Sequence, residues 1–170
     1  MVVRENAKDV YKIVICDDNP EQLEQMRCIC CDVMHLPDDM VVVYRSGVAM
    51  DEALRSGKLD CDGTRLVAFL DIEMDELDGV QLGRNFHELM PESVVVFITA
   101  HPEYAIKGYE ARAFRYLLKP LTQDSVGKVM GEIRREFSEN KSIRLKLSGA
   151  ERPICLDCLL YTSDAADEED

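Results

Sequence analysis

Short apolar runs alternate along the chain with stretches of helical period, beginning at Lys12-Ile13-Val14-Ile15-Cys16. That run is β-branched and stops abruptly at Asp17-Asp18, which predicts a buried strand. Asn19 then stands as an N-cap, with Pro20 at the first helical position and Gln22 placed to reach back. Leu23, Met26, Cys30 and Val33 follow at spacings of three and four, the period of an amphipathic helix. Val41-Val42-Val43-Tyr44 predicts a second strand, after which Ser46-Gly47 opens a short helix through Val48, Ala53 and Leu54 that stops near Gly57. Leu66-Val67-Ala68-Phe69-Leu70 is a third strand and also ends on an acid, Asp71. A loop closed by Asp78-Gly79 leads into a helix with Val80, Leu82, Phe86 and Leu89 on one side. Ser93 to Ile98 and Phe114 to Leu118 are the fourth and fifth strands, with a weakly patterned helix over roughly 103–111 between them. Val126, Val129, Met130, Ile133 and Phe137 mark a last helix.

Five strands alternating with five helices, the strands nearly all apolar, predict an α/β doubly wound parallel sheet covered on both faces by right-handed crossovers. Beyond Asn140 the period becomes two, with Ile143, Leu145 and Leu147 facing one way and Arg144 and Lys146 the other. Ser148-Gly149-Ala150 turns the chain, and Pro153 to Leu156 returns as the partner strand of a C-terminal β-hairpin fragment with open edges.

The length of 170 residues allows one ordinary domain and at most a fragment of a second, which excludes a large multidomain enzyme. Charge narrows the partners, because 33 acids against 20 Lys and Arg give a net −13, which disfavours contact of these residues with nucleic acid. Five of the acids, Asp164, Asp167, Glu168, Glu169 and Asp170, lie in a tail with no basic residue. Seven cysteines without a secretory signal or an apolar run of membrane length imply a reduced, cytoplasmic protein with no membrane association. Cys28, Cys30 and Cys31 have no second Cys/His pair at finger-like spacing, so they read as packing thiols with Cys30 inward rather than as a zinc site. His35, His87 and His101 are likewise lone and widely spaced.

In an open parallel sheet, function gathers at the carboxyl ends of the strands. Those ends hold Asp17, Asp18 and Asp71, then Thr99 on the fourth strand and Lys119 after the fifth. A strand-end acid taken alone usually caps a helix or sits in water. Three converging carboxylates repel one another unless a hard divalent cation neutralises them, and Mg²⁺ suits such a site. With a hydroxyl and an amine beside them, they make one half of a phosphoryl-transfer site: a carboxylate nucleophile, a metal, and donors for the remaining charge.

At these residues the sequence resembles the receiver domains of two-component response regulators. The matching motifs are Ile15-Cys16-Asp17-Asp18, Leu70-Asp71-Ile72-Glu73-Met74 with Leu77-Asp78-Gly79, Ile98-Thr99-Ala100, and Tyr116-Leu117-Leu118-Lys119-Pro120. The resemblance implies a flavodoxin-like fold with strand order 2-1-3-4-5 over residues 11–138. It implies Asp71 as phosphoacceptor, Mg²⁺ held by Asp17, Asp18, Asp71 and the Glu73 backbone carbonyl, and Thr99 and Lys119 on the phosphoryl oxygens. It further implies a Thr99–Tyr116 switch, a cis Lys119-Pro120 bond, tuning of the phosphate's lifetime by Glu73 and His101, and a sensor histidine kinase as partner. Asp75 departs from the family pattern, which has proline there, and is expected to add acid and loosen the loop.

The run Phe97 to Ala105 with Gly108-Tyr109-Glu110 resembles receivers attached to LytTR-class DNA-binding domains, which implies a transcription factor that dimerises on phosphorylation. Residues 139–157 resemble the linker and first hairpin of that domain, so DNA contact is expected only through a missing part. Residues 158–170 are similar to a translated transposase sequencing adaptor and are expected to be a non-native tail. Two other classes compete. A phosphohydrolase with an Asp71 nucleophile and Glu73 two residues on needs no Asp17-Asp18 pair and lacks a cap in so short a chain. A pseudo-receiver is opposed by the presence of Asp17, Asp18, Asp71, Thr99 and Lys119 together.

Overall fold

The computed structural model describes residues 11–59, 65–104 and 112–139, with side chains as far as 137. The chain divides into two compact units, Met1–Arg134 and Arg135–Asp170, and the sheet and the site lie in the first. The elements are β1 (Tyr11–Cys16), α1 (Pro20–Met34), β2 (Val41–Tyr44), α2 (Gly47–Arg55), β3 (Arg65–Asp71), α3 (Gly79–Leu89), β4 (Val94–Thr99), β5 (Arg115–Leu118) and α4 (Gln123–Glu139), with one 3-10 turn at Asp38–Met40. The sequence-predicted helix over 103–111 falls largely outside the described residues, as do the hairpin and the acidic tail.

All four strand pairings are parallel and the order is β2-β1-β3-β4-β5. Central strands covered on both faces need apolar side chains in both directions, and every residue of β4 is accordingly buried. The edge strands are half exposed, with Val43 and Leu118 facing outward. One face of the sheet packs Met50, Leu54, Leu82 and Phe86 of α2 and α3 against Val14, Ala68, Leu70, Val95 and Phe97. Val126, Val129, Met130 and Ile133 bury the inward side of α4. Among the described residues no helix is long and apolar enough to cross a membrane.

Caps decide the phase of each helix. Asn19 caps α1 by accepting from the Glu21 and Gln22 amides, with Pro20 in the first turn. The reach-back by Gln22 does not occur, because the Asn19 amide donates to Asp17 Oδ1 at 2.8 Å instead, and Gln22 Oε1 is left buried without a partner among the described residues. The α1 stripe runs through Leu23, Met26, Ile29, Cys30 and Met34, so Met34 takes the buried place expected of Val33. Ser46 caps α2 and sets its inward face through Gly47, Met50, Ala53 and Leu54, which turns Val48 outward. Leu89 is exposed at the end of α3, and Met90, just past the helix, packs against the core in its stead.

Candidate functional site

Strands β1 and β3 are adjacent, and each ends on a carboxylate at the same edge of the sheet. Asp17 is 4% exposed and Asp71 3%, whereas Asp18, one residue further along, is exposed. One carboxylate oxygen from each of Asp17, Asp18 and Asp71 lies within 4.8 Å of the others. Two buried carboxylates this close need compensation, and Lys119 provides it from the far side of β4. Its Nζ donates to Asp71 Oδ2 at 2.9 Å and to Asp17 Oδ2 at 3.0 Å. The Lys119 amide also donates to the Thr99 carbonyl at 2.9 Å, which fixes the end of β5 to the end of β4. The Lys119-Pro120 bond is cis.

Each acid has a further donor. Asp71 Oδ1 accepts from the Glu73 amide at 3.3 Å, and Asp18 Oδ2 accepts from the Asp75 amide at 3.2 Å. Burial pushes the Asp71 carboxyl above its ordinary pKa; the hydrogen bond and charge of Lys119 pull it down, and Asp17 adds to the rise. Burial works against the Lys119 ammonium, but its bonds to Asp71 and Asp17 outweigh that and raise its pKa. Cys16, fully buried beside the acids, is pushed up to about 12 by burial and then by Asp17, Asp71 and Asp18, so its thiol stays protonated.

Gly79 lets α3 begin directly beneath this pocket. Its amide donates to the Ile72 carbonyl at 3.1 Å, and a Cβ there would collide with the Asp71 backbone carbonyl. Asp78 caps the same helix through the Gln81 amide.

Thr99, at the end of β4, is fully buried, and its Oγ1 accepts the His101 amide at 3.0 Å. His101 stands between two acids, with Nε2 3.4 Å from Glu73 Oε1 and Nδ1 3.2 Å from Glu103 Oε1. Tyr116 lies opposite Phe97 in the β4–β5 register, ring centroids 5.4 Å apart, half-buried. Its hydroxyl is buried without a hydrogen-bond partner among the described residues, and burial raises its pKa. A cleft of about 440 Å³ opens beside Glu73, between Met74, Arg84 and Tyr104.

The structure thus brings Asp17, Asp18, Asp71 and Lys119 into one group, puts Thr99 at the adjoining strand end, and pairs Glu73 with His101 at the rim. Chemically the group offers oxygen donors for a hard divalent cation, a buried carboxylate, and an ammonium able to follow negative charge. Sequence reasoning missed the Asp75 amide as a partner of Asp18. Its signal was the absence of proline, which leaves an N–H at that position.

Residues 13–130 match the family profile described as the response regulator receiver domain. The transcriptional regulatory protein BtsR of Salmonella typhi is 35% identical over 131 residues, covering 76% of this chain and 51% of that protein. Protein MrkE of Klebsiella pneumoniae is 27% identical over 139 residues, covering 82% of this chain and 49% of its own. The crystal structure of the MrkE response regulatory domain superposes with a TM-score of 0.63 at 25% identity, covering 75% of this chain and 98% of that one. The chain spans about half the length of the curated relatives it matches.

Proposed function

This chain belongs to the response regulator receiver domain family, whose role is phosphorelay signalling, and we propose that Asp71 is the residue it phosphorylates. The single observation that carries this is the pair of hydrogen bonds that Lys119 donates to Asp71 and Asp17 inside a triad of carboxylates at the strand ends. A histidine kinase is the partner that receiver membership implies. In the transfer, a carboxylate oxygen of Asp71 attacks phosphorus, the new O–P bond forms, and the P–N bond of the donor's phosphohistidine breaks, its electron pair returning to the imidazole. Burial raises the Asp71 pKa, and the hydrogen bond and charge of Lys119 work against that rise in favour of the nucleophilic carboxylate.

Receiver domains bind Mg²⁺ at an acidic cluster of this kind, and the donors here are all oxygen, the preference of that ion. Asp17, Asp18, Asp71 and the Glu73 backbone carbonyl would hold it. When bound it neutralises charge on the phosphoryl oxygens. Lys119 would pass from the Asp71 carboxylate to a phosphoryl oxygen, and the Thr99 hydroxyl would redirect its proton from the His101 carbonyl, 3.5 Å away, to another such oxygen. The movement of Thr99 frees room for the Tyr116 ring, whose unpartnered hydroxyl gives it little to lose by turning. Glu73 and His101, paired at the rim, would govern the access of water and so the lifetime of the acyl phosphate.

For the whole protein the proposed output is transcriptional, through a LytTR-type domain that DNA would meet and a homodimer that phosphorylation would favour. The description of the relative BtsR as a transcriptional regulatory protein, and the half of its length that lies outside the match, support a transcriptional output. Residues 11–138 would be the receiver, 139–157 the linker and first hairpin of the effector, and 158–170 a tail foreign to it.

The test is intact mass after incubation with Mg²⁺ and a small acyl-phosphate donor. One added phosphoryl group, lost in Asp71→Asn and on chelation, is the expected result. No gain would overturn the assignment, and catalytic hydrolysis of the donor without gain would indicate a phosphohydrolase.

A further inference from the structure

Deepening the magnesium assignment just made, and resting on it, we propose that the backbone amide of Asp75 is a positioning group for the metal: by donating to Asp18 it holds the one exposed carboxylate of the triad at the pocket.

The three acids are not equally secured. Asp17 and Asp71 are buried and each accepts two hydrogen bonds, from Lys119 and from a backbone amide two residues on. Asp18 is exposed, and an exposed aspartate samples several rotamers that must be given up when it ligates. The bond from Asp75, 57 residues along the chain, selects one of them before any ion arrives. It leaves the carboxylate its second oxygen and spare lone pairs, so the amide orients the ligand without consuming it.

The loop is built to aim that amide. Met74 N–H donates to the Ile72 carbonyl at 3.3 Å and Leu77 N–H to the Asp75 carbonyl at 2.8 Å, closing three-residue turns on either side of Asp75. Glu76, at the centre of the second turn, has φ 64°, a left-handed conformation that a residue with a Cβ seldom adopts. Such a conformation persists where its surroundings determine it. Here the Leu77 carbonyl lies against Gly47 at the start of α2, where a Cβ would stand only 2.5 Å away. A proline at 75 would lose the donor. The departure from the family pattern therefore secures the loop to a metal ligand, where a looser loop was expected from the sequence.

Two variants separate the amide from the charge. Asp75→Asn keeps the N–H and removes the carboxylate, and Asp75→Pro removes both. Binding of Mn²⁺, a paramagnetic substitute for Mg²⁺, is measured on the full chain by electron paramagnetic resonance with Mg²⁺ in competition. Asp75→Pro is expected to bind about three- to tenfold more weakly than Asp75→Asn, ~0.7 to 1.4 kcal/mol. Equal or tighter binding by Asp75→Pro overturns the proposal while leaving the magnesium site intact. No uptake by the unaltered protein overturns the magnesium site and the proposal together. Should Asp75→Pro fail to fold, hydrogen exchange of the residue 75 amide decides. It is expected to accelerate in Asp18→Ala, and an unchanged rate overturns the proposal.

Discussion

Replacing Lys119 by methionine keeps the unbranched apolar stem and removes the ammonium that holds Asp17 and Asp71 together. Each contact, near 3 Å, represents roughly 5 kcal/mol of gross attraction at an effective dielectric of about 20. The net loss is smaller, because the pair has an escape: one carboxyl takes up a proton. From an unfolded pKa of about 3.9 that protonation costs about 4 kcal/mol at pH 7 and about 1.5 kcal/mol at pH 5, which caps the destabilisation at each pH. The sign follows from proton counting. Without Lys119 the folded carboxyl pKa stands well above the unfolded value, so the folded state binds more protons between the two. Variant stability then falls as pH rises through that window, by about 1.4 kcal/mol per unit, and recovers as pH falls towards 4. Urea unfolding followed by far-UV circular dichroism at pH 5 and pH 7, with and without Mg²⁺, measures this. Mg²⁺ is expected to restore part of the loss at pH 7. A deficit identical at the two pH values and indifferent to Mg²⁺ would refute the idea that Lys119 acts as the counter-ion of a buried acid pair.

Three more outcomes follow from the same geometry. Gly79→Ala sets a Cβ against the Asp71 carbonyl and is expected to destabilise by about 2 kcal/mol or more by urea unfolding, with lower acyl-phosphate yield; neutrality would show that α3 can shift freely. Thr99→Ala leaves the His101 amide without its acceptor and is expected to cost about 1 to 3 kcal/mol, whereas Thr99→Ser keeps the bond and most of the stability; equal losses would discount the bond. Native alkylation read by peptide mass spectrometry should label Cys28, which is exposed, well before Cys16 and Cys30, both buried and pushed up to about 12, and early labelling of either would contradict their burial.

The sheet was legible because its chemistry is local. Val94 to Thr99 is buried on both faces, so six consecutive residues had to be apolar or neutral, and the run announces itself. Asn19 and Ser46 were legible as caps for the same reason: an N-cap acts on amides two or three residues away. What the sequence hid are competitions between partners. Gln22 had the spacing to bond the Asn19 amide, but that amide donates to Asp17 instead, a carboxylate being a stronger acceptor than an amide oxygen. Val48 and Leu89 fitted a periodic stripe, yet the phase set by Ser46 and the end of α3 left both in solvent. The site residues were each visible, because strand ends in a parallel sheet converge. Their pairing was not, since nothing in the chain says that Lys119 bridges two acids or that Asp75 contributes its backbone and not its carboxylate.

Lys119 also has a consequence for the order in which the protein becomes competent. It is 102 residues from Asp17 and 48 from Asp71, and its strand is the last of the sheet. During synthesis β1 and β3, with the acids at their ends, emerge long before the residue that neutralises them. A nascent chain short of β5 therefore carries two unpaired carboxylates where the finished pocket will be, and their mutual repulsion resists premature closure. Arrival of Lys119 completes the sheet and quenches that repulsion in one event. The pocket is electrostatically complete only once β5 is in place, so a fragment ending before it lacks the counter-charge of the acid pair.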